Sequence, residues 1–288
     1  MWKRVISCFF IFIALSLGSA VAFGSENKEM KVHYIDVGQG DSILIETPND
    51  KVILIDGGPP KAGDKIVTYL QEQNVREIDL LIATHPDFDH IGGLIKVMQS
   101  FPIKQIVDSG KLHTTKTYIQ YINQIRKNKI PVNFVNKNER LSVDPQIQIN
   151  VLNSYEKNKS NNQSSIVLKL TYETIDFLFM GDIERRQELK IMEEEDIQSE
   201  IIKVAHHGSK TSSSLSFLQE VNPSIALLTY HKRNKFGHPV SRVIENLNKV
   251  DAQIYSTAVF GNVVIVTNGK DYFVLPEKSP IDGLLKGA

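Results

Sequence analysis

The segment "THPDFDHIGG", residues 84–93, constrains this chain most, because it places four side chains that bind metal or protons in one short turn. His85, Asp87, Asp89 and His90 follow directly on the apolar run "LLIA". Groups crowded this closely repel one another or compete for the same water unless a cation lies among them. Side chains two apart in an extended turn point the same way, so we expect His85 and Asp87 to hold one ion and Asp89 and His90 to turn toward a second. The alternative is a surface turn in which Asp87 or Asp89 caps the next helix and both histidines are solvated.

Three further segments carry an acid or a histidine at the end of a predicted strand. Asp182, in "FLFMGDIE", follows an apolar strand and a glycine. It is suited to bridge two cations, or simply to cap the following helix. His206 and His207, in "VAHHGSK", are expected to point to opposite sides of the backbone, one toward metal and the other toward substrate or water. The alternative there is one capping and one exposed histidine. His238, in "FGHP", is a further candidate beside a glycine.

Several polar residues near these segments are candidates for supporting roles. Asp56, at the end of "VILID", is expected to orient a ligating histidine from behind. Asp41, in "DVGQGDS", is by itself compatible with turn chemistry. A phosphate-contacting loop and an ordinary solvated loop both fit the basic residues of "HKRNKF". The candidates for substrate binding are Asn162, Ser165, Ser209, Lys232, Arg233 and Lys235.

The order of the predicted elements indicates the fold class. Residues 30–58 contain three short strands in quick succession, and hence antiparallel hairpins. Alternating strands and helices follow, and a strand meander followed by alternation occurs again in the second half. We therefore expect an α+β protein with two mixed sheets face to face and helices outside. Each acid or histidine cluster lies in a loop after a predicted strand, which predicts one shared site.

Composition excludes some classes of function. The chain has 288 residues, of which 41% are hydrophobic and 23% charged, as in ordinary globular proteins with a large core. Lys plus Arg and Asp plus Glu both number 33, so no global charge attracts nucleic acid or anionic lipid, and any anion site must be local. The single cysteine is Cys8. The chain beyond it therefore has no disulfide framework, thiolate metal site or cysteine nucleophile.

Residues 1–22 are predicted to form a secretory signal peptide. Lys3 and Arg4 precede a long apolar stretch, and the small-residue pattern Ala20-Val21-Ala22 predicts cleavage after Ala22 and an extracytoplasmic location. The alternative is an uncleaved anchor, and only in that case would the membrane be a partner. Cleavage would leave 31 basic and 33 acidic residues, a net charge near −2. We expect one hydrolase domain over residues 30–276 and a C-terminal tail over 277–288.

These motifs together resemble a known family. "THPDFDHIGG" is similar to the signature loop of the metallo-β-lactamase superfamily, with aspartate at position 87 where most members have histidine. With "DVGQGDSILIETP", "ILIDGG", "NNQSSIVLKL", "MGDIE", "HHGSKTSSS" and "FGHP", the chain looks like the hydrolase domain of ComEC-type competence proteins and their free-standing relatives. The likeness extends from about residue 31 to residue 275.

The resemblance implies a four-layer αβ/βα sandwich with a two-metal site at the sheet edges. It implies that Asn162 stands where many members have another histidine ligand, and that His238 and Asp41 line the site. His207 is the preferred ligand of the histidine pair, and His206 the preferred substrate-facing group. The implied metal ligands are His85, Asp87, Asp89, His90, Asp182 and His207.

The resulting hypothesis is a secreted hydrolase of phosphodiesters, with single-stranded DNA or another nucleic acid as leading substrate and no obligate protein partner. Two divalent ions, manganese or zinc, would activate water, and aspartate at position 87 favours manganese. Asp89 or Asp182 would position the water, and His206 or His238 would protonate the leaving oxygen. The alternatives are a phosphocholine esterase or phosphomonoesterase, a lactone or β-lactam hydrolase, and a non-catalytic anion-binding module.

Overall fold

The computed structural model describes residues 28–157 and 159–279, so the predicted leader with Cys8 and the end of the tail lie outside the described residues. The described residues contain fifteen strands. In chain order these are β1 (Met30–Tyr34), β2 (Ile43–Glu46), β3 (Val52–Ile55), β4 (Leu80–Ala83), β5 (Ile106–Asp108), β6 (Val132–Phe134), β7 (Arg140–Leu141), β8 (Ile147–Asn153), β9 (Val167–Tyr172), β10 (Ile175–Phe179), β11 (Ile201–Lys203), β12 (Ile225–Leu228), β13 (Gln253–Ser256), β14 (Val263–Thr267) and β15 (Tyr272–Pro276).

The strands form two mixed sheets. The first has the order β15-β14-β1-β2-β3-β4-β5-β6, antiparallel from β15 to β3 and parallel from β3 to β6. The second has the order β13-β12-β11-β10-β9-β8-β7, antiparallel from β7 to β10 and parallel from β10 to β13. The carboxyl ends of neighbouring parallel strands share one edge of a sheet, so each sheet has one edge where loops can build a site.

Eight α-helices lie in the described residues. They are α1 (Gly63–Glu72), α2 (Phe88–Ile91), α3 (Leu94–Ser100), α4 (Lys116–Asn128), α5 (Arg185–Glu194), α6 (Leu215–Val221), α7 (Ser241–Lys249) and α8 (Thr257–Phe260). Three short 3-10 turns cover Pro60–Ala62, Asn162–Ser164 and Ala205–Gly208. Within the described ranges, none of the helices combines the length and apolar character that a bilayer crossing requires.

The hydrophobic residues separate into three cores, which makes the architecture a four-layer αβ/βα sandwich. One core lies between the sheets and contains Tyr34 and Phe177. The other two lie under the helices, with α1, α3 and α4 covering the first sheet and α5, α6 and α7 covering the second. Successive side chains of a strand point to opposite faces of its sheet, so one strand contributes to two cores. In β2, Ile43 and Ile45 face the inter-sheet core, whereas Leu44 faces the helices. The expected fold class is confirmed.

The segment after β4 contains two short helices, which Gly92 and Gly93 separate. The turn itself forms α2, and α3 starts only at Leu94. Gly93 marks the change because its backbone packs against the loop after β3: a Cβ there would lie 2.1 Å from the Gly57 carbonyl oxygen. Only glycine permits this approach, which brings the loop with Asp56 against His90 of α2. Strand β7 and helix α8 were not predicted.

We expect Phe177→Ala to lower the free energy of unfolding by about 3–5 kcal/mol, because the ring fills the inter-sheet core and its removal leaves a cavity. Phe177 is fully buried and stacks on Phe179 with ring centroids 6.2 Å apart. Urea denaturation measures the change. Phe273→Ala is the control, since that ring on β15 is 68% exposed and its loss should cost within about 0.5 kcal/mol. Equal effects of the two substitutions would contradict this assignment of the core.

Candidate metal centre

The segments singled out in the sequence meet at the carboxyl ends of strands from both sheets. Asp56 follows β3, and the segment from His85 to His90 follows β4, both in the first sheet. Asp182 follows β10 and the pair His206–His207 follows β11, both in the second sheet. The site is therefore assembled across the two sheets.

The Asp182 carboxylate is the common point of the site. Its Oδ2 atom lies 3.3 Å from His90 Nε2, 3.6 Å from His206 Nε2, 3.6 Å from His207 Nε2 and 3.8 Å from His85 Nε2. Asp182 and three of these histidines are buried, and His206 is partly exposed. A buried carboxylate requires pairing or metal coordination to offset its desolvation.

Four overlapping groups of ligand atoms lie around this point, and two of them lack Asp41. The atoms of His85, His90 and Asp182 lie within 4.8 Å of one another, and so do those of Asp89, His90 and His207. Asp87 Oδ2 lies 3.6 Å from His85 Nε2 and extends the first group. Asp89 Oδ2 lies 3.7 Å from His207 Nε2 in the second. Imidazole nitrogen and carboxylate oxygen are ligands of zinc and manganese.

The three buried histidines share an arrangement that fits metal ligation. His90 Nδ1 donates to Asp56 Oδ2 at 2.7 Å, His85 Nδ1 donates to the Thr84 hydroxyl at 3.0 Å, and His207 Nδ1 donates to the Thr229 carbonyl oxygen at 2.8 Å. Their Nε2 atoms, and Asp182 Oδ1, have no hydrogen-bond partner among the described residues. Ligating histidines usually donate their second N–H in this way and keep the other nitrogen for the ion. The residues present therefore fit a divalent cation.

Asp56 supports two histidines at once. Its Oδ2 accepts from His90 Nδ1 and, at 2.7 Å, from the Thr84 hydroxyl, whose oxygen accepts from His85. Its Oδ1 accepts from the Thr84 backbone N–H at 2.9 Å. Asp56 thus makes the contact with a histidine that the sequence suggested. Thr84 was missed, although a hydroxyl residue between the apolar strand and His85 was an available signal.

The histidine pair does not have the extended conformation expected for it. His206 and His207 both have positive φ, 50° and 55°, inside a 3-10 turn. Because left-handed residues do not alternate as strand residues do, both Nε2 atoms reach Asp182 instead of pointing to opposite sides. Such backbone costs of order 1–3 kcal/mol a residue and is found mainly at functional sites. Exposure still separates the two rings: the His206 side chain is 20% exposed and that of His207 is 2% exposed.

A second buried ion pair lies beside His207. Lys203 Nζ lies 2.9 Å from Asp41 Oδ2, and both residues are buried. Asp41 Oδ1 accepts from the Thr229 hydroxyl and lies 3.4 Å from His207 Nδ1. Asp41 was expected to line the site, and one ligand atom each of Asp41, Asp182 and His207 lie within 4.8 Å of one another. Lys203 was missed, and a lysine inside the apolar strand "IIKVA" was its signal.

The pKa shifts show that the centre attracts positive charge. Burial raises the pKa of Asp182, but attraction to His90, His207 and His206 outweighs burial and holds the pKa well below its usual range. Burial lowers the pKa of His207, yet Asp182 and Asp41 raise it to about 9. The pKa of Asp87 falls to about 2, because attraction to the nearby His85 ring and the hydrogen bond from Asn161 outweigh the effect of burial. A cation at this point would serve the same electrostatic need as these protons.

The predicted substrate-binding residues of the polar loops differ in burial and in their distance from the centre. Asn162 Nδ2 lies 3.4 Å from His206 Nε2, at the centre itself. Ser165 is fully buried, and its hydroxyl accepts from the Asp182 backbone N–H at 3.1 Å, so it supports the carboxylate from below. Ser209 is buried and lies 3.2 Å from the Thr211 hydroxyl. Asn161, missed in the sequence, donates to Asp87 Oδ1 at 2.6 Å.

His238 and the basic loop, residues 231–238, border the centre. The His238 ring centroid lies 5.5 Å from that of His206 and 6.4 Å from that of His207. Burial and the neighbouring histidines lower the pKa of His238 to about 4, so the ring is neutral at pH 7. The three cations of the loop, Lys232, Arg233 and Lys235, are exposed.

The capping alternatives are contradicted. Asp87 occupies the N-cap position of α2, but its side chain makes no capping hydrogen bond. The N-caps of α5 and α6 are Glu184 and Ser214, so neither Asp182 nor the histidine pair caps a helix. The ligand and catalytic roles themselves stay predictions.

We expect Lys203→Met to lower the free energy of unfolding by about 3–5 kcal/mol, because it leaves Asp41 buried without its cation. Adding Asp41→Asn should recover part of this loss, since the uncompensated charge is then removed. Urea denaturation of the single and double variants measures both effects. Lys104→Met is the control, because that lysine is 47% exposed and pairs with Glu77 and Asp79 at the surface, where water screens the ion pairs and their loss should change stability little. Wild-type stability of Lys203→Met would exclude the buried pair.

Comparison with known proteins agrees with this site. The model of the family "Metallo-beta-lactamase superfamily" matches residues 35–230. The chain is 27% identical over 256 residues to ComE operon protein 3 of Bacillus subtilis, covering 82% of this chain and 33% of that protein. It is 26% identical over 265 residues to Recombination protein 2 of Haemophilus influenzae, covering 90% of this chain and 32% of that protein. The chain thus spans about a third of the length of both relatives.

A solved structure shows the same fold. The metallo-beta-lactamase fold protein YhfI from Bacillus subtilis superposes with a TM-score of 0.58 at 13% identity, covering 83% of this chain and 100% of that one. The family match covers more than half of the chain and includes the segments that build the centre. The chain therefore belongs to the metallo-beta-lactamase superfamily and is related within it to ComEC-type competence proteins.

Proposed function

We propose that this protein is a secreted, metal-dependent phosphodiesterase whose leading substrate is single-stranded nucleic acid, DNA first. The observation that carries the proposal is a buried histidine and carboxylate centre beside an exposed basic loop. Lys232, Arg233 and Lys235 form no ion pair with a described residue, so their charges are available to an anionic substrate. In a chain with equal numbers of acids and bases, this local excess suits a substrate with repeated phosphates.

The metal ligands proposed for the two ions divide along the two groups of ligand atoms that lack Asp41. His85 and Asp87 would hold one ion, Asp89, His90 and His207 would hold the other, and Asp182 would contact both. Divalent ions there would supply Lewis-acid chemistry, by lowering the pKa of a water toward neutrality and offsetting phosphate charge. Asp87 makes the first position richer in oxygen, and this favours manganese over zinc.

The residues of the chain would orient the reactants. Asp89, 14% exposed in its side chain, faces the centre and can accept a hydrogen bond from the attacking water. Burial lowers the pKa of His206 below its ordinary value, and the pKa of His238 is about 4. Both rings are therefore neutral at pH 7, which favours hydrogen bonding to the substrate over the proton donation expected from the sequence. Asn162, beside His206, would contribute an amide N–H to the same contact.

Two further observations support parts of the proposal. One relative, Recombination protein 2, is named for a process on DNA. Secretion rests on the predicted signal peptide at residues 1–22. Aspartate at position 87 separates this centre from the lactone and β-lactam hydrolases considered above, which usually have histidine there.

We expect the chain from residue 23 to cleave labelled single-stranded DNA when supplied with manganese or zinc, and to lose cleavage in chelator. Asp182→Asn should lower the rate by about 100-fold or more, because the shared ligand is weakened. Asp64→Asn is the matched control, since Asp64 is exposed on α1 and pairs only with Lys96. Rates from gel electrophoresis and metal content after dialysis are the measurements.

The outcomes separate the alternatives. Cleavage that persists in chelator or in Asp182→Asn would contradict the metal-dependent mechanism. Stoichiometric metal without cleavage would keep the centre and move the substrate to a small phosphoester or a cell-wall phosphate. Binding of nucleic acid without metal or cleavage would support the non-catalytic module.

We expect Asp87→His to shift the metal preference from manganese toward zinc, by roughly tenfold or more in the ratio bound, because it replaces an oxygen ligand by nitrogen. The ratio is measured after dialysis against equal concentrations of both ions. Asp64→His serves as control for a histidine added elsewhere. An unchanged ratio would show that Asp87 does not contact the ion.

A further inference from the structure

Phe236 is an exposed aromatic residue at the mouth of the proposed site. Its side chain is 50% exposed. One face of the ring lies on the His238 imidazole, with ring centroids 5.6 Å apart and an interplanar angle of 23°. A single exposed apolar residue needs no explanation, so its surroundings decide whether it has a role.

Asn234 holds the loop around Phe236 in a fixed shape. Its Oδ1 accepts from the backbone N–H groups of Phe236 and His238, both at 3.0 Å. Its Nδ2 donates to the carbonyl oxygens of His231 at 2.9 Å and His238 at 2.6 Å. His231 N–H in turn donates to Gln39 Oε1 at 3.3 Å, which ties the loop to the turn before β2. A ring held in advance loses little entropy when a partner stacks on it.

The ring lies at the outer end of a series of rings that leads to the centre. Phe236 contacts His238, and the His238 centroid is 5.5 Å from that of His206. The His206 Nε2 atom is 3.6 Å from Asp182 Oδ2. A nucleoside that extends from a phosphate at the centre along this series of rings would meet Phe236.

Basic residues lie beside the Phe236 ring in the same loop. Lys235 Nζ lies 5.4 Å from the Phe236 ring centroid, and Lys232 and Arg233 are exposed in the same loop. Sites for single-stranded nucleic acid combine cations that follow the backbone with aromatic rings on which bases stack. A simple phosphomonoester would use the cations but has no base that could stack on the ring.

We propose that Phe236 is a specificity-determining residue that stacks on the nucleobase beside the scissile phosphate. The inference rests on the proposed function and makes it more specific, because it selects nucleic acid, with flat bases, over other phosphodiesters. Stacking on an aromatic ring tolerates any base, so the preference is for single strands without sequence dependence.

The test uses oligonucleotides with a single phosphodiester among phosphorothioate linkages, carrying either bases or an abasic residue on each side of it. We expect Phe236→Leu to lower kcat/KM on the oligonucleotide with bases about tenfold, and an abasic neighbour to lower kcat/KM of the wild type by a similar factor. The two changes together should lower it no further, because both remove the same contact. Phe236→Trp should retain the wild-type value. Phe273→Leu, on the exposed β15, is the control.

The results distinguish this inference from the proposed function. Suppose that the wild type cleaves the oligonucleotides. The stacking role alone is then overturned if Phe236→Leu does not lower kcat/KM, or if the losses in kcat/KM from Phe236→Leu and from the abasic residue multiply when the two are combined. If no oligonucleotide is cleaved, the proposed function fails. Fluorescence anisotropy with the same oligonucleotides then decides the inference: binding that needs both the base and Phe236 supports it, and any other result overturns it.

Discussion

The Asp182 carboxylate, surrounded by four imidazoles, is the interaction on which the rest of the structure depends. It follows a strand of the second sheet, whereas His85 and His90 follow a strand of the first, so the centre exists only where the two sheets meet. Its desolvation is offset because the carboxylate faces groups that carry or attract positive charge. Asp56, Thr84 and the Thr229 carbonyl hold three of the rings from behind, which keeps their Nε2 atoms directed at one point.

This arrangement requires left-handed backbone at several residues, and favourable interactions elsewhere in the fold must offset its free-energy cost. Asp56, His206 and His207 all have positive φ, at about 1–3 kcal/mol a residue for side chains other than glycine. The three hydrophobic cores offset that cost, since fully burying one leucine, isoleucine or phenylalanine side chain contributes about 1.5–3 kcal/mol. The strained residues lie at strand ends, where a turn needs no regular hydrogen-bond ladder, and the strands beneath them stay regular.

Charge in this protein is organised locally. The chain has as many acids as bases, yet a buried ion pair lies beside His207 and three exposed cations lie in the loop that borders the centre. The pair of Lys203 and Asp41 acts at short range in a dry environment, where a lost partner is costly. The cations of the basic loop are exposed to water, where salt screens their attraction to anions and where a substrate can bind them. The net charge of the chain, which is zero, therefore does not reveal either the buried ion pair or the exposed basic loop.

The sequence predicted three features: the α+β class with two mixed sheets, the position of each segment at a strand end, and most of the residues at the centre. It could do so because apolar periodicity and the spacing of polar residues are local properties of the chain. The family likeness added the four layers, and the family match confirms membership in the superfamily. Local spacing also suggested that Asp56 supports a histidine, although the identity of that histidine had to come from the fold. The left-handed turn at His206 and His207 was not predictable, since residues of this type usually alternate along an extended strand end. Thr84 and Lys203 acquire roles only from neighbours distant in sequence: the Asp41 carboxylate beside Lys203 comes from the turn before a strand of the other sheet. Sequence by itself determined which side chains reach the strand ends, and tertiary structure alone decided which of them touch, because contact across two packed sheets depends on distances that no local pattern encodes.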